Sequence, residues 1–178
     1  AREAARWLAD EGRTLGALEE LAAALGLPGP PMRIECYDIS TMHGNHSVGS
    51  MVVFEAGRSD PSAYRRFKVR FSGGESNDVA MMREVLSRRF ARDRAGDLRF
   101  GRTPDLVIVD GGRPQLAVAQ AVLAEIGVEG VSLVALAKRE EELFVPGWEE
   151  PVVLPAGSAS LYLVKRVRDE AHRFAITY

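Results

Sequence analysis

The chain has 178 residues, 46% of them hydrophobic, and a formal net charge of −2, which excludes a disordered chain and allows one domain with a sizeable core. Its one cysteine, Cys36, excludes an internal disulfide framework and a cysteine-based zinc site, and is consistent with a cytoplasmic protein. No run of about 18 apolar residues is present, so we expect no membrane association.

The chain opens with a helical segment and a linker. Leucines at helical spacing, with a break near Gly12, predict two short helices over residues 2–25. The Pro- and Gly-rich run at residues 26–31 ends the second helix. We therefore predict a helical N-terminal segment and linker at residues 1–31 and a main domain at residues 32–178.

Three strand-like runs come next, at residues 32–40, 48–56 and 64–71. They are rich in β-branched and aromatic side chains, and the third alternates strictly between its two faces. Only short turns separate the runs. The spacing therefore predicts antiparallel hairpins.

Helices and buried strands alternate over the rest of the chain. The predicted helices cover residues 76–94, 114–126 and 157–176, and continuous apolar runs predict buried strands at residues 104–110 and 131–137. The order β-β-β-α-β-α-β-α predicts an α/β fold. Its mixed five-stranded sheet should carry helices on both faces, with the first, fourth and fifth strands as parallel neighbours.

Two aspartates stand at the ends of strands that should be neighbours. Asp38 lies near the end of the first strand and Asp110 at the carboxyl end of the fourth. A single aspartate in such a place is usually a turn former or a helix cap. Here, however, both carboxylates should share one crevice, where they repel each other unless a cation lies between them. Hard oxygen ligands favour Mg²⁺ or Mn²⁺, so we predict a metal site at this pair.

Two further residues are candidates for the same site. His172 ends the tetrad Asp-Glu-Ala-His, which helicases use to bind nucleotide, but no lysine of the chain follows a glycine and no phosphate-binding loop exists. His172 is therefore a packed or surface residue of the last helix, a metal ligand, or a proton carrier. Asp78, at the start of the 76–94 helix, is either a helix cap or an additional acidic group of the site.

A basic segment lies inside an otherwise acidic chain. Residues 64–102 carry eleven basic and five acidic side chains, and the regions on either side are net acidic. Metal ions held by carboxylates are a standard device for phosphodiester hydrolysis, and basic side chains beside them could hold a phosphate backbone. The alternative is a solvated face, since arginines at a helix end also interact favourably with the helix dipole. The candidate DNA contacts are Arg65, Arg66, Lys68, Arg70, Arg88, Arg89 and Arg92, with Arg168 and Arg173 of the last helix.

Several stretches together resemble one known family. They include IECYDIS at residues 34–40, MMREVLSRRF at 81–90, PDLVIVDGGRPQL at 104–116 and VRDEAHRFAIT at 167–177. From about residue 27 to the end, the chain is similar to the C-terminal endonuclease domain of the UvrC subunit of bacterial nucleotide excision repair. The resemblance implies a ribonuclease H-like fold. It also implies a metal-binding triad and a further acidic residue important for incision, which map onto Asp38, Asp110 and His172, and onto Asp78.

The same resemblance implies an activity and partners. Such domains cut the damaged strand of duplex DNA on the 5′ side of a lesion, after UvrB has located it. Because the chain begins with Ala1 rather than Met, we expect it to be a piece of a longer protein. The missing parts would be a helix-hairpin-helix module and an N-terminal nuclease domain. The rival hypotheses are another ribonuclease H-like nuclease (a resolvase, integrase or Argonaute-type enzyme) and a catalytically idle domain that docks DNA or protein.

Overall fold

A computed structural model of the chain describes residues 2–41, 46–70, 78–94, 100, 102–137 and 139–177. Within these ranges, the side chains of residues 2–9, 11, 41, 46, 70 and 92–94 lie outside the description. The predicted DNA contacts Arg70 and Arg92 are therefore outside the described side chains.

Four helices are present in the described chain. They are α1 (Arg2–Leu25), α2 (Asp78–Arg94), α3 (Arg113–Ile126) and α4 (Ala159–Ile176). The prediction of two short N-terminal helices was wrong, because α1 is one helix of 24 residues. A glycine inside a helix costs only about 1 kcal/mol, and burial of the apolar face of α1 outweighs that cost. None of the described helices could cross a membrane.

The described residues form one mixed sheet of seven strands. They are β1 (Arg33–Thr41), β2 (His46–Glu55), β3 (Arg58–Ser59), β4 (Arg65–Arg70), β5 (Leu106–Asp110), β6 (Ser132–Leu136) and β7 (Leu143–Phe144). The five long strands were predicted. The two additions, β3 and β7, have two residues each. β7 falls in the run at residues 143–154, where the sequence allows a hairpin around Pro146 and Gly147, and Leu143 bridges to Val152.

The strand order is β3-β2-β1-β5-β6-β7, and β4 pairs with the β2 edge beside β3. β1, β5 and β6 are parallel neighbours, and the other pairs are antiparallel. This confirms the predicted mixed sheet. The carboxyl ends of three adjacent parallel strands therefore meet at one edge, where open α/β sheets bind their ligands.

Helices cover both faces of the sheet. α2 packs with α3, whereas α4 lies over β1 and β2 and packs against α1. In α1, Leu18, Leu21 and Leu25 are buried in the common core, and Glu20 accepts a hydrogen bond of 2.8 Å from Ser160 of α4. The predicted domain division at residue 31 stays a prediction. The contacts show that α1 packs on the main fold.

A glycine allows close approach of α2 to the sheet. Gly49 of β2 lies opposite Ile39 of β1, and a Cβ atom built on it would overlap the side chain of Val85 in α2. The valine occupies the space that a side chain at position 49 would need. The absence of that side chain therefore sets how closely α2 packs on the sheet.

A buried ion cluster joins β1 to α2. The carboxylate of Glu35 is fully buried, and its Oε2 accepts hydrogen bonds from Arg89 Nη2 at 2.8 Å and Arg33 Nε at 3.0 Å. The hydroxyl of Tyr37 donates to Oε1 at 2.5 Å, and Arg33 also donates to the carbonyl of Phe100 at 2.6 Å. Charges are tolerated inside a protein only when they are paired and hydrogen-bonded. The cluster therefore fixes α2 against β1.

Replacing Arg89 tests this cluster. Arg89→Met should lower the free energy of unfolding by about 3–5 kcal/mol, because Glu35 keeps its buried charge and loses a partner. Urea denaturation followed by circular dichroism measures the change. Arg83→Met is the matched control: it removes an arginine from the same helix, but one in an exposed pair with Glu125 at 3.0 Å, and should cost less than about 1 kcal/mol. Equal losses in the two variants would contradict the role of the cluster.

Candidate active site

The pairing of β1 with β5 brings the two aspartates together. Cys36 is the register partner of Ile108, and Tyr37 that of Val109, so Asp38 and Asp110 follow at the same level of the sheet. Because side chains alternate along a strand, both carboxylates point to the face that α4 covers. The side chains of Asp38 and Asp110 are only 11% and 8% exposed. Little solvent therefore screens their mutual repulsion.

α4 places His172 directly over this pair. Its Nε2 atom lies 3.5 Å from Oδ2 of Asp110 and 3.9 Å from Oδ2 of Asp38. One ligand atom from each of the three residues falls within 4.8 Å of the others. Among the described residues, these three therefore form a group that could hold a metal ion.

The group fits a small divalent cation. Mg²⁺ holds its ligands at about 2.1 Å in octahedral geometry, so two ligand atoms of one ion lie roughly 3 to 4.2 Å apart. The distances from His172 to the two carboxylates fall inside that range and are too long for hydrogen bonds. Nε2 of His172 is buried and has no hydrogen-bond partner among the described residues. Two carboxylate oxygens and one imidazole nitrogen therefore face a common point.

The negative charges of Asp38 and Asp110 also act on the buried thiol of Cys36. Burial is the main reason that the pKa of Cys36 is raised well above its usual value, and the negative charges of Asp110 and Asp38 raise it further. The thiol is therefore held protonated in the core. A protonated, buried thiol is neither a metal ligand nor a nucleophile.

The two aspartates of the group line a cleft of about 400 Å³. Asp78, the first residue of α2, is exposed and lines this cleft together with the two aspartates. It is not part of the three-residue group. The structure thus brings together Asp38, Asp110 and His172, and places Asp78 on the wall of the same cleft. The described lining residues are Asp38, Ile39, Asp78, Met82, Asp110, Gly111, Gly112, Gln115, Ala137 and Arg139.

Contacts outside the cleft hold α4 in position. Tyr64 Oη donates to Oε1 of Glu170 at 3.0 Å, and Arg173 Nε donates to Oε2 at 2.9 Å. The bond from Arg173 lowers the pKa of Glu170, while burial and the bond to Glu170 raise the pKa of Tyr64 above its usual range. The guanidinium of Arg66 stacks on Phe174, 3.8 Å from the ring centroid. These contacts lie on either side of His172 in the chain and fix its place over the sheet.

The predicted DNA contacts on β4 and α2 have different surroundings. Arg65 donates to the carbonyls of Ser62 and Tyr64, at 3.0 and 2.7 Å. Lys68 and Arg88 are exposed, and Arg88 donates to the carbonyl of Lys68 at 2.9 Å. The prediction for Arg89 was wrong: it is fully buried in the Glu35 cluster and cannot reach DNA. A charge count along the sequence does not distinguish a surface arginine from the partner of a buried acid.

The two predicted DNA contacts of α4 form ion pairs within the chain. Arg168 Nη1 lies 2.9 Å from Oε1 of Glu141, and both side chains are only 20% exposed. Arg173 pairs with Glu170. DNA contact by either residue stays a prediction, because a phosphate would compete with these carboxylates.

Comparisons with known proteins place the chain in a family. The family described as the UvrC RNase H endonuclease domain matches residues 22–176. The chain belongs to this family. The resemblance seen in the sequence is therefore confirmed, and with it the ribonuclease H-like fold class.

Curated relatives agree with this assignment, and a solved structure shares the fold. The UvrABC system protein C of Thermobifida fusca is 52% identical over 91% of the chain, and that of Desulforudis audaxviator is 52% identical over 90%. The chain spans only 28% of the length of each. Endonuclease V of Ciona intestinalis, solved in complex with DNA, is similar in fold with a TM-score of 0.52. That likeness covers 99% of this chain and 97% of the other, at 12% identity.

Two residues that line this UvrC-family cleft were not among the predicted site residues. Gln115 accepts a hydrogen bond of 2.9 Å from the backbone of Gly112, and Arg139 follows the end of β6. Both lie just beyond the carboxyl end of a parallel strand. The rule that led to Asp110 would have found them if it had been applied to the residues after each strand as well.

Gly111 shapes the turn after Asp110. Its φ is 147°, and an added Cβ atom would lie 2.6 Å from side-chain atoms of Gln115. Gly111→Ala should therefore lower the free energy of unfolding by about 1–3 kcal/mol in urea denaturation. Gly112→Ala is the control, since its φ is −110° and the nearest atom lies at 3.8 Å. It should change stability by less than about 1 kcal/mol. Equal effects would show that the turn does not require glycine.

Proposed function

We propose that the chain is a divalent-metal-dependent DNA endonuclease domain, which hydrolyses a phosphodiester bond on the 5′ side of a lesion in nucleotide excision repair. The observation that carries this is the group of Asp38, Asp110 and His172, which lies at the carboxyl edge of three parallel strands and whose two aspartates line a cleft. Membership of the UvrC endonuclease family supports a nuclease role.

The two carboxylates would hold Mg²⁺ or Mn²⁺. A bound ion would lower the pKa of the attacking water and offset negative charge on the phosphate oxygens. Asp38 and Asp110 contribute two negative charges in a poorly solvated place, which would favour a hard cation strongly. Asp78 also lines the cleft and would add a third negative charge to it.

His172 has two roles open to it. Its Nε2 atom faces the two carboxylates, so the neutral ring could add a nitrogen ligand. The imidazole could equally accept a proton from the attacking water or donate one to the leaving oxygen. In either role the nitrogen must point at the carboxylates, and α4 holds it there.

The DNA backbone would cross the surface next to the cleft. Lys68 and Arg88 are exposed on neighbouring elements, β4 and α2, and belong to the basic segment. Arg65 and Arg66 of β4 are half-buried and could contribute through their outer edges. These contacts would be to phosphates, so they would give affinity that depends on salt and little sequence preference.

The partners would belong to the UvrABC system. The chain covers about a quarter of the length of its relatives, so other segments of a longer protein would supply additional DNA affinity. Damaged double-stranded DNA would be the substrate, and UvrB would deliver it. A helix-hairpin-helix module and an N-terminal nuclease domain would be the other parts of that protein.

Metal titration tests the site itself. The chain should bind Mn²⁺ by isothermal titration calorimetry, and Asp110→Asn should weaken binding by more than about 100-fold because a ligand charge is lost. Asp169→Asn is the matched control: its carboxylate is 72% exposed, it lies on α4 near His172, and its removal should change affinity by less than about twofold. Failure of the unaltered chain to bind Mn²⁺ even with DNA present would favour an idle docking domain.

Incision assays test the assigned cut. In the intact protein that carries this domain, Asp38→Ala and His172→Ala should each reduce 5′ incision of a lesion-containing duplex by about 10³-fold or more. The 3′ incision should stay unchanged, since we assign it to the other nuclease domain. The assay is performed with the other UvrABC proteins, and denaturing gels separate the two products. Undiminished 5′ incision would contradict the assignment, and preferential cutting of junctions or RNA–DNA hybrids would favour a rival nuclease.

A further inference from the structure

We propose that Arg139 binds a phosphate of the DNA strand beside the scissile bond, and that Glu141 positions it by anchoring its loop to α4. The proposal rests on the proposed endonuclease function and adds a substrate-binding residue to it. Three observations carry it: the place of the loop, the charges of the cleft, and the contacts that fix the loop.

The loop starts at the catalytic edge of the sheet. Leu136 of β6 is the register partner of Asp110, and its carbonyl accepts a hydrogen bond of 3.0 Å from the backbone of Gly111. The hairpin between β6 and β7 is closed by a bond of 3.0 Å from Ala137 N to Glu142 O. Arg139 therefore projects from the edge that carries Asp110, three residues beyond its partner in the sheet.

The negative charges of the cleft favour a positively charged side chain at this place. Three carboxylates, those of Asp38, Asp78 and Asp110, line it, and Arg139 is the one lysine or arginine among the described lining residues. Arg139 is exposed and forms no hydrogen bond or ion pair with the described residues. A phosphodiester that enters the cleft meets these negative charges. A guanidinium can offset them and can donate two parallel hydrogen bonds to phosphate oxygens.

The loop is held in an unfavourable backbone conformation. Glu140 and Glu141 both have positive φ, 62° and 54°, which side chains with a Cβ rarely adopt. Glu141 compensates through α4: its carboxylate pairs with Arg168 at 2.9 Å and with Lys165 at 3.7 Å. The Glu141 side chain is four-fifths buried by these contacts. Strain of this kind persists where the surroundings fix it and is common at functional sites.

The same helix therefore positions two parts of the site. Arg168 precedes His172 by one helical turn, so the α4 surface that carries the histidine also holds the loop of Arg139. The sequence suggested Arg168 as a DNA contact. Its guanidinium instead holds Glu141 within the domain, and Arg139 contacts the phosphate.

The first test is Arg139→Gln in the intact protein. Its KM for 5′ incision should rise about tenfold, and the slope of log affinity against log salt should fall by about one unit, as expected for one lost phosphate contact. Arg139→Lys should restore the salt slope. Mn²⁺ affinity measured without DNA should not change. The control is Arg13→Gln, which removes another exposed arginine, on α1 and remote from the cleft, and should leave the KM and the slope unaltered.

A double-mutant cycle tests the role of Glu141. Glu141→Gln should raise the KM about three- to tenfold with Mn²⁺ affinity retained, because the loop is released while the metal group is kept. Adding Arg139→Gln to that variant should raise the KM by less than about twofold further. Full additivity of the two changes would overturn the positioning role.

The outcomes separate this proposal from the function it rests on. If the unaltered protein does not incise, or incises without Asp110, the endonuclease assignment fails and the role of Arg139 fails with it. If incision requires Asp110 but Arg139→Gln keeps the original KM and salt slope, the Arg139 proposal alone is overturned. Weakened Mn²⁺ binding in Arg139→Gln would overturn it too, since the residue would then support the metal site.

Discussion

β1 pairs with β5 in one parallel register, and that register decides which side chains reach α2 and which reach α4. On one face Glu35 meets Arg89 of α2 in a buried ion pair, and on the other Asp38 meets His172 of α4. A slip of one residue would exchange the faces, leaving a bare carboxylate in the core. The buried ion cluster therefore makes the wrong register costly. The arrangement of Asp38, Asp110 and His172 depends on this constraint.

In the candidate site, some residues carry the charge and others hold those residues in position. Asp38 and Asp110 come from the rigid centre of the sheet, where strands pair on both sides. His172 comes from a helix, so its place depends on contacts made elsewhere along α4. Several charged residues that look like DNA contacts in the sequence serve that second purpose. Arg168 pairs with Glu141, and Arg173 pairs with Glu170.

Most of the fold and the three central residues could be predicted, because apolar periodicity records burial and strand ends record the edge of the sheet. Asp38 and Asp110 followed from two buried strands expected to be parallel neighbours. The burial of Arg89 did not follow, since a count of charges carries no direction in space. The signal was Glu35, an acid inside an apolar strand that needs a buried partner. The left-handed backbone of Glu140 and Glu141 left no trace in the sequence, since neither residue is typical of that conformation.

The contact between Gly49 and Val85 has a consequence for the width of the cleft. Asp78 lies seven residues before Val85 on α2, about 10 Å along the helix axis. A change in how closely Val85 packs on β2 would shift α2, and with it the place of Asp78 in the cleft. The place of one acidic side chain of the cleft thus depends on the missing side chain of Gly49, which does not itself line the cleft.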